Sequence, residues 1–296
     1  MAEKSIPLDE IRADEIPADE VPAAPVPAWA DEGDARTLPT WDGALYAANT
    51  GHHRRHDETF LASLPLQPAD YVLDLGCGAG DLTVQVAALV SSGHVVGVDP
   101  QASLLAEAAA RARPNQSFVQ GAAQDLGRLL PGESRFDVVL SQSVLHWIPA
   151  ADHPAVLVEV HRLVRPGGWF RAEFGGAGNV PAVLALLDAV SAPLGGPTTP
   201  WFFSDAGWYL EQLERSGFDV AAGFVRTNAQ RRGFTRAELE GWFLSQCVQA
   251  YDAGLPDDTA RAAFRQQVAA RFDDLARWDG TFDQTFVRLD VLARRG

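Results

Sequence analysis

Residues 72–83 read VLDLGCGAGDLT. A short apolar run delivers Asp74, three glycines follow at alternate positions (Gly76, Gly78, Gly80), and a helical pattern opens at Leu82. This is a strand, a glycine loop and a helix in that order. In open parallel sheets, ligands bind beyond the carboxyl ends of the strands. Glycines there allow a tight turn and let a ligand approach the backbone. The spacing is G-x-G-x-G, not the G-x-G-x-x-G of dinucleotide-binding folds. Asp74 would repel a pyrophosphate but suits a ligand that carries an ammonium group. Cys77, inside the loop, reads as a small packing residue rather than a nucleophile.

Outward from this loop, strands and helices alternate. Strands are expected at 71–75, 94–99, 117–120, 136–141 and 169–174, and helices at 82–90, 102–113 and 152–164. Apolar strands alternating with amphipathic helices imply a parallel sheet covered on both faces. After Phe174 the rhythm loosens. Helices are expected near 181–190, 205–216, 235–251 and 257–277, with strands at 218–227 and 285–293, the last returning to the sheet while helices form a cap. The second strand ends VVGVDP, and Asp99 lies where an acid after a glycine loop reaches a pair of ribose hydroxyls. An Asp at that point can also be a helix cap.

Four blocks stand in order: VLDLGCGAG, VVGVDP, FDVVLSQSVLHWI and RLVRPGGWF. Together they resemble the class I S-adenosylmethionine-dependent methyltransferases, over about residues 41–296. Looser blocks, WDGALY, VLHWIP, PWFFSDAGWYLEQLERSGF and RWDGTFDQTFVRLDVLARR, are similar to the small-molecule branch that contains the trans-aconitate and carrier-protein carboxyl methyltransferases. The resemblance implies an α/β fold with a doubly wound, mostly parallel, seven-stranded Rossmann-like sheet and a helical cap. It implies S-adenosyl-L-methionine as cofactor, with Asp74, Gly76, Cys77, Gly78 and Gly80 around the methionine moiety and Asp99 and Pro100 at the ribose. Ala123, Gln124 and Ser141 would complete that site, and Tyr46 would cover the sulfonium. Where the family often has Gly-Asp-Ala after the third strand, with Asp on the adenine amine, this chain has Gly121-Ala122-Ala123-Gln124, so Gln124 or Asp125 could supply the acceptor instead.

The organisation predicted is an acidic disordered tail over 1–38 and a methyltransferase domain over 39–296. Its cofactor core spans about 68–175, with cap segments at 41–60, 176–216 and 228–280. The tail carries ten acidic against three basic residues, with prolines at 7, 17, 22, 25 and 27 and a degenerate repeat, IPLDE, IRADE, IPADE. Such a segment buries too little apolar surface to offset chain entropy. The whole chain of 296 residues has a net charge of -15, which works against nucleic-acid backbones and anionic lipid. Two cysteines make no disulfide framework, and MAEKSIPLDE lacks the basic-then-apolar order of a signal peptide. A cytoplasmic protein with no membrane or nucleic-acid partner is expected; its oligomeric state is not legible.

Methyl transfer from a sulfonium is an in-line displacement, in which an enzyme positions the nucleophile and excludes water. A carboxylate acceptor needs no base, whereas a hydroxyl or amine benefits from one. His146, beyond the fourth strand, is the candidate catalytic residue, as base or as wall; packing beside Trp147 is the bland alternative. His52, Trp147, Arg171 and Trp201 are candidate substrate contacts, with Arg171 equally able to pair with Glu173 or another acid. No Cys/His spacing suggests zinc and no acid cluster demands magnesium. The expected activity is O- or carboxyl-methylation of a small organic molecule. The alternative is a protein that keeps the cofactor on this fold without methylating. A nicotinamide reductase is disfavoured because Lys4 is the only lysine, leaving no Tyr-x-x-x-Lys pair.

Overall fold

The computed structural model describes residues 59–132 and 136–296. The tail over 1–38, residues 41–58 of the first cap segment and the candidates Tyr46 and His52 lie outside the described residues.

β1 (Tyr71–Leu75), α1 (Asp81–Leu89), β2 (His94–Asp99), α2 (Ala102–Ala110) and β3 (Gln116–Gln120) form the first half. Single helical turns at Ala123–Asp125 and Leu126–Leu129 lead to β4 (Phe136–Gln142), α3 (His153–Leu163) and β5 (Val164–Gly175). α4 (Pro181–Ser191), α5 (Ala206–Arg215) and β6 (Phe218–Arg232) follow, then α6 (Arg236–Trp242), α7 (Val248–Asp252), α8 (Asp258–Ala270) and β7 (Gln284–Arg295). The seven strands run in the order β3-β2-β1-β4-β5-β7-β6. β1 to β5 pair in parallel, and β7 inserts antiparallel to both β5 and β6. The strand order reverses between β1 and β4, and that switch point opens the crevice in which ligands of such sheets bind.

Strand alternation builds a core on each face of the sheet. Leu73, Val139, Phe170, Ala172 and Leu289 face α3 and α5 through Val156, Val160, Tyr209 and Leu213. Val72, Val138 and Leu140 face α1 and the preceding segment through Val86, Phe60 and Leu64. A third core is the cap's own, with Val183 and Leu187 of α4, Leu239 and Trp242 of α6, Tyr251 of α7 and Phe264 of α8.

Several boundaries differ from the sequence reading, among them the helix expected over 257–277, which ends at Ala270. β5 begins at Val164, which pairs with Phe136, and Pro166-Gly167-Gly168 bulge out before pairing resumes at Val138↔Trp169. The helix expected over 235–251 is interrupted by a π-helical turn at Phe243–Cys247, a device found inside helices and often near functional sites. The expected cap segments also divide. β6 runs to Arg232, and α5 lies on the sheet, because Tyr209 and Leu213 of its apolar stripe pack against β5 and α3.

Candidate functional site

The glycine loop is fixed by its own backbone. Gly76, Gly78 and Gly80 all have positive φ, at 78°, 53° and 81°, a region side chains with a Cβ rarely adopt. The Gly76 and Cys77 amides donate to the Val98 carbonyl at 2.7 and 3.1 Å, and Gly80 closes the turn onto the Cys77 carbonyl at 2.9 Å. A Cβ on Gly76 would stand 2.2 Å from the Val144 side chain, so the loop after β4 lies directly on the glycine loop. The Cys77 side chain lies over Gly97, and burial pushes its thiol far above the ordinary range, which makes it a packing residue.

Two carboxylates flank this loop. Parallel register sets Asp74 beside Gly97, and hence Asp99 beside Gly76. Asp74 is buried and accepts from the Thr83 hydroxyl of α1 at 2.6 Å. Asp99 is buried, with one oxygen accepting from Gly78 N–H and the other from Gln101 N–H, both at 2.9 Å. Burial raises its pKa above the ordinary carboxylate value, against the pull of those two amides. Each carboxylate oxygen has a second lone pair, so Asp99 is a preset acceptor for two hydroxyls. Glycines that leave room beside the backbone, an acid for a diol and a second acid at the loop are the groups a nucleoside with a charged amino-acid arm requires. The residues present therefore fit S-adenosylmethionine.

The remaining cofactor candidates scatter. Pro100 and the buried Ala123 border the loop after β3, and Gln124, which is exposed, donates its amide to Asp152 at 3.1 Å, leaving its oxygen as the acceptor. Asp125 pairs with Arg128 instead. The Ser141 hydroxyl is fully buried and donates to the Leu75 carbonyl at 2.9 Å, tying β4 to β1.

The candidate acceptor side is built from side chains. The loop after β4 turns at Ser143, which has φ of 60° and whose amide donates to the Glu173 carbonyl at 2.7 Å. His146 follows on a single helical turn, with Nδ1 facing the Gly175 amide at 3.4 Å. Burial, then the charge of Arg288, holds its pKa well below the usual imidazole value. The ring is therefore neutral, and the Gly175 contact assigns its proton to Nε2. Trp147 and Phe203 flank it at 5.6 and 5.7 Å between centroids, and Trp147 meets the edge of Trp201 at 5.5 Å. Trp201 is buried, and its indole N–H has no hydrogen-bond partner among the described residues. These rings run from His146 into the cap, as far as Tyr251.

Arg171 is not at this site. It is buried among the Asp290 carboxylate, the Ser63 hydroxyl and the Ala172 and Val291 carbonyls, with its guanidinium over the Phe60 ring. The pairing alternative holds, with Asp290 as partner, because a buried cation so far inside a strand must be neutralised locally. The arginine at the strand ends is Arg288, which the sequence reading missed. The alternation of QTFVRLDVL could have found it, since Gln284, Phe286, Arg288 and Asp290 share one face of a strand expected to be buried. Ser143 and Val144 carry no such signal; their roles follow from the loop's path.

Among the described residues, no group of three His, Cys, Asp or Glu side chains is placed to hold a metal ion, and no helix is long and apolar enough to cross a membrane.

Comparison with known proteins agrees with this geometry. Residues 72–168 match the methyltransferase domain family. The chain is 32% identical over 188 residues to an uncharacterised methyltransferase of Schizosaccharomyces pombe, covering 61% of this chain and 71% of that protein. It is 35% identical over 190 residues to a trans-aconitate 2-methyltransferase of an Azoarcus species, covering 60% of this chain and 71% of that one. In fold it is similar to phosphoethanolamine N-methyltransferase 2 of Haemonchus contortus in complex with S-adenosyl-L-methionine, with a TM-score of 0.56, 17% identity, and 86% of this chain and 56% of that one covered. A seven-stranded sheet reversing at β1, a left-handed glycine loop with its two acids, and relatives matched over most of their length converge on one assignment: the chain belongs to the class I S-adenosylmethionine-dependent methyltransferases.

Proposed function

We propose that this methyltransferase esterifies a carboxylate of a small organic acid. When bound, S-adenosylmethionine supplies a methyl group on a sulfonium, which leaves as a neutral thioether. Asp99 holds the ribose hydroxyls, and the backbone of Gly76 to Gly80, with Asp74, accommodates the amino-acid arm. Pro100, Ala123 and Gln124 border the adenine. The loop from Ser143 to His146 lies between this donor half and the acceptor.

One observation carries the reading. His146 presents Nε2–H, because Nδ1 faces the Gly175 amide and burial keeps the ring neutral. A ring in that state donates a hydrogen bond and takes no proton. An acceptor whose nucleophilic oxygen is already ionised needs no base, and a neutral donor orients it without a charge to compete with the reaction. Trp147, Phe203 and Trp201 exclude water from the transfer path, which strengthens the orienting contact. The similarity to a trans-aconitate 2-methyltransferase supports a carboxylic acid as acceptor.

The test is a panel of small mono-, di- and tricarboxylic acids, trans-aconitate among them, incubated with isotope-labelled methyl donor. Labelled methanol released from the product by mild alkali is the expected outcome, since it identifies an ester. Label in alkali-stable linkage to a hydroxyl or amine would overturn the carboxylate assignment.

A further inference from the structure

Two arginines stand on the same sheet face, and they are used differently. Arg171 is 3% exposed in its side chain, with Asp290, Ser63 and two main-chain carbonyls around it. Arg288 is 15% exposed and lies at the strand ends, where antiparallel register sets it directly across from Gly175. Its Nη2 donates to the Ser143 hydroxyl at 2.6 Å and to the Glu173 carbonyl at 3.5 Å, and its Nε donates to the Glu173 carboxylate at 3.2 Å. Nη1 has no partner among the described residues.

The same short loop fixes this arginine to the transfer point. Ser143 holds Arg288, Val144 lies on Gly76, and His146 faces Gly175, the residue opposite Arg288. Ser143 does this from a left-handed backbone, a strained conformation of the kind that persists where surrounding contacts over-determine it. Among the described residues the charge balance also leaves a cation in excess. Around Asp290 and Glu173 stand Arg171, Arg226 and Arg288, three guanidinium groups against two carboxylates.

We infer that Arg288 is the anchor for an anionic group of the acceptor that does not react, which makes the acceptor at least a diacid. The inference rests on the carboxylate reading above. The reacting carboxylate loses its charge as the new C–O bond forms. A guanidinium against that group would stabilise substrate more than transition state and slow the transfer. A neutral N–H, as on His146, suits the reacting oxygen. A fixed guanidinium with one nitrogen unengaged among the described residues suits a carboxylate that keeps its charge throughout. Glu173 and Ser143 then act as positioning residues, holding the guanidinium plane so that Nη1 faces the acceptor.

The experiment compares wild type with Arg288→Gln and Arg288→Lys on the full chain loaded with S-adenosylhomocysteine. Calorimetry measures binding of unreactive saturated mono-, di- and tricarboxylates. Wild type should favour di- and tricarboxylates over monocarboxylates. Arg288→Gln should lose roughly 30–100-fold in affinity for them, the worth of a charge-assisted pair, with monocarboxylate and donor affinity within about twofold. Arg288→Lys should recover part of the loss. In turnover, KM for the acid should rise while kcat changes little. Equal loss for mono- and dicarboxylates, or loss confined to kcat or to the donor, overturns the anchor. Should Arg288→Gln fail to fold, Ser143→Ala carries the same test, with a smaller loss of the same selectivity. Wild type that binds diacids selectively but forms no ester would sink the carboxyl-methylation reading and leave the anchor standing. Esters formed with no selectivity change in the variants would do the reverse.

Discussion

The donor half and the acceptor half of this site are made of different materials. In the proposed function, donor recognition is drawn from main chain: three left-handed glycines, amides clasped on the Val98 carbonyl, and one acid whose two oxygens are oriented by Gly78 and Gln101. Acceptor recognition, in the same proposal, is drawn from side chains that converge from distant points, with His146 on a turn, Arg288 on the last strand, and Trp201 and Phe203 on the loop entering α5. A site built from backbone serves one ligand and tolerates change around it. A site built from side chains can be retuned one residue at a time, which is how one fold hosts many acceptors. If the two halves are separable in this way, substitutions in one should leave the affinity of the other intact.

The largest expected effect breaks the donor half. Asp99→Ala removes the acceptor for two hydroxyls and leaves the Gly78 and Gln101 amides without their carboxylate. Donor affinity should fall about 100-fold, the scale of a charged hydrogen-bonding group lost from a buried site. Anion affinity at Arg288 should not follow it. Calorimetry with S-adenosylhomocysteine and with an unreactive diacid, measured separately, decides this. A parallel loss in both would show that the halves are one unit.

A smaller effect sharpens the comparison from the other side. His146→Ala removes one neutral hydrogen bond to the reacting oxygen, and turnover should fall about tenfold, or roughly 1.4 kcal/mol in the barrier. Donor affinity should stay within about twofold, and His146→Gln should restore part of the rate because its amide can supply an N–H. A base would behave otherwise. Its loss would cost far more on an acceptor that must shed a proton, and Gln would rescue nothing.

The same division governs what the sequence disclosed. The glycine loop and Asp99 were legible because local rules place them, since a strand, three alternate glycines and an acid after the next strand leave the backbone few options. β7 was legible as a strand because its alternation is strong, and its return to the sheet followed from the helices before it. Arg171 and Arg288 were not separable by pattern alone. Both stand on strands with runs of consecutive buried residues, and only the register, Arg171↔Leu292 against Gly175↔Arg288, puts one deep in the sheet and the other at its lip. The cap was the least legible part. Its helix breaks at Phe243–Cys247 because tertiary packing of Trp242, Phe243 and Cys247 overrides a sequence that reads as one continuous helix. α5 was misplaced for a related reason: an amphipathic stripe says that a face is buried, not against which layer.

The smallest expected effect is a pH dependence confined to the donor half. Burial raises the Asp99 pKa above its ordinary 3.8, so in the free protein this carboxylate takes up a proton at a higher pH than an exposed one. Ribose hydroxyls donate to the ionised form and lower that pKa in the complex. Binding therefore releases a proton in the window between the two values, and donor affinity is full above the free-protein pKa and declines as pH falls through it. The sign for stability is opposite. A carboxylate whose folded pKa is raised weakens the fold above that pKa, and the penalty fades as the group protonates, so over this window acid should favour the Asp99 contribution to stability while it lowers donor affinity. His146 adds nothing between neutrality and this window, because its pKa is already held well below the imidazole range. Donor titrations run from neutrality into acid should show a plateau and then a decline of a few-fold (about 0.5–1 kcal/mol), with proton release seen as a buffer-dependent heat. Asp99→Asn should lower the plateau and remove the decline. Should the decline persist in Asp99→Asn, another acid controls donor binding, and Asp74, on the far side of the same loop, is the group to change next.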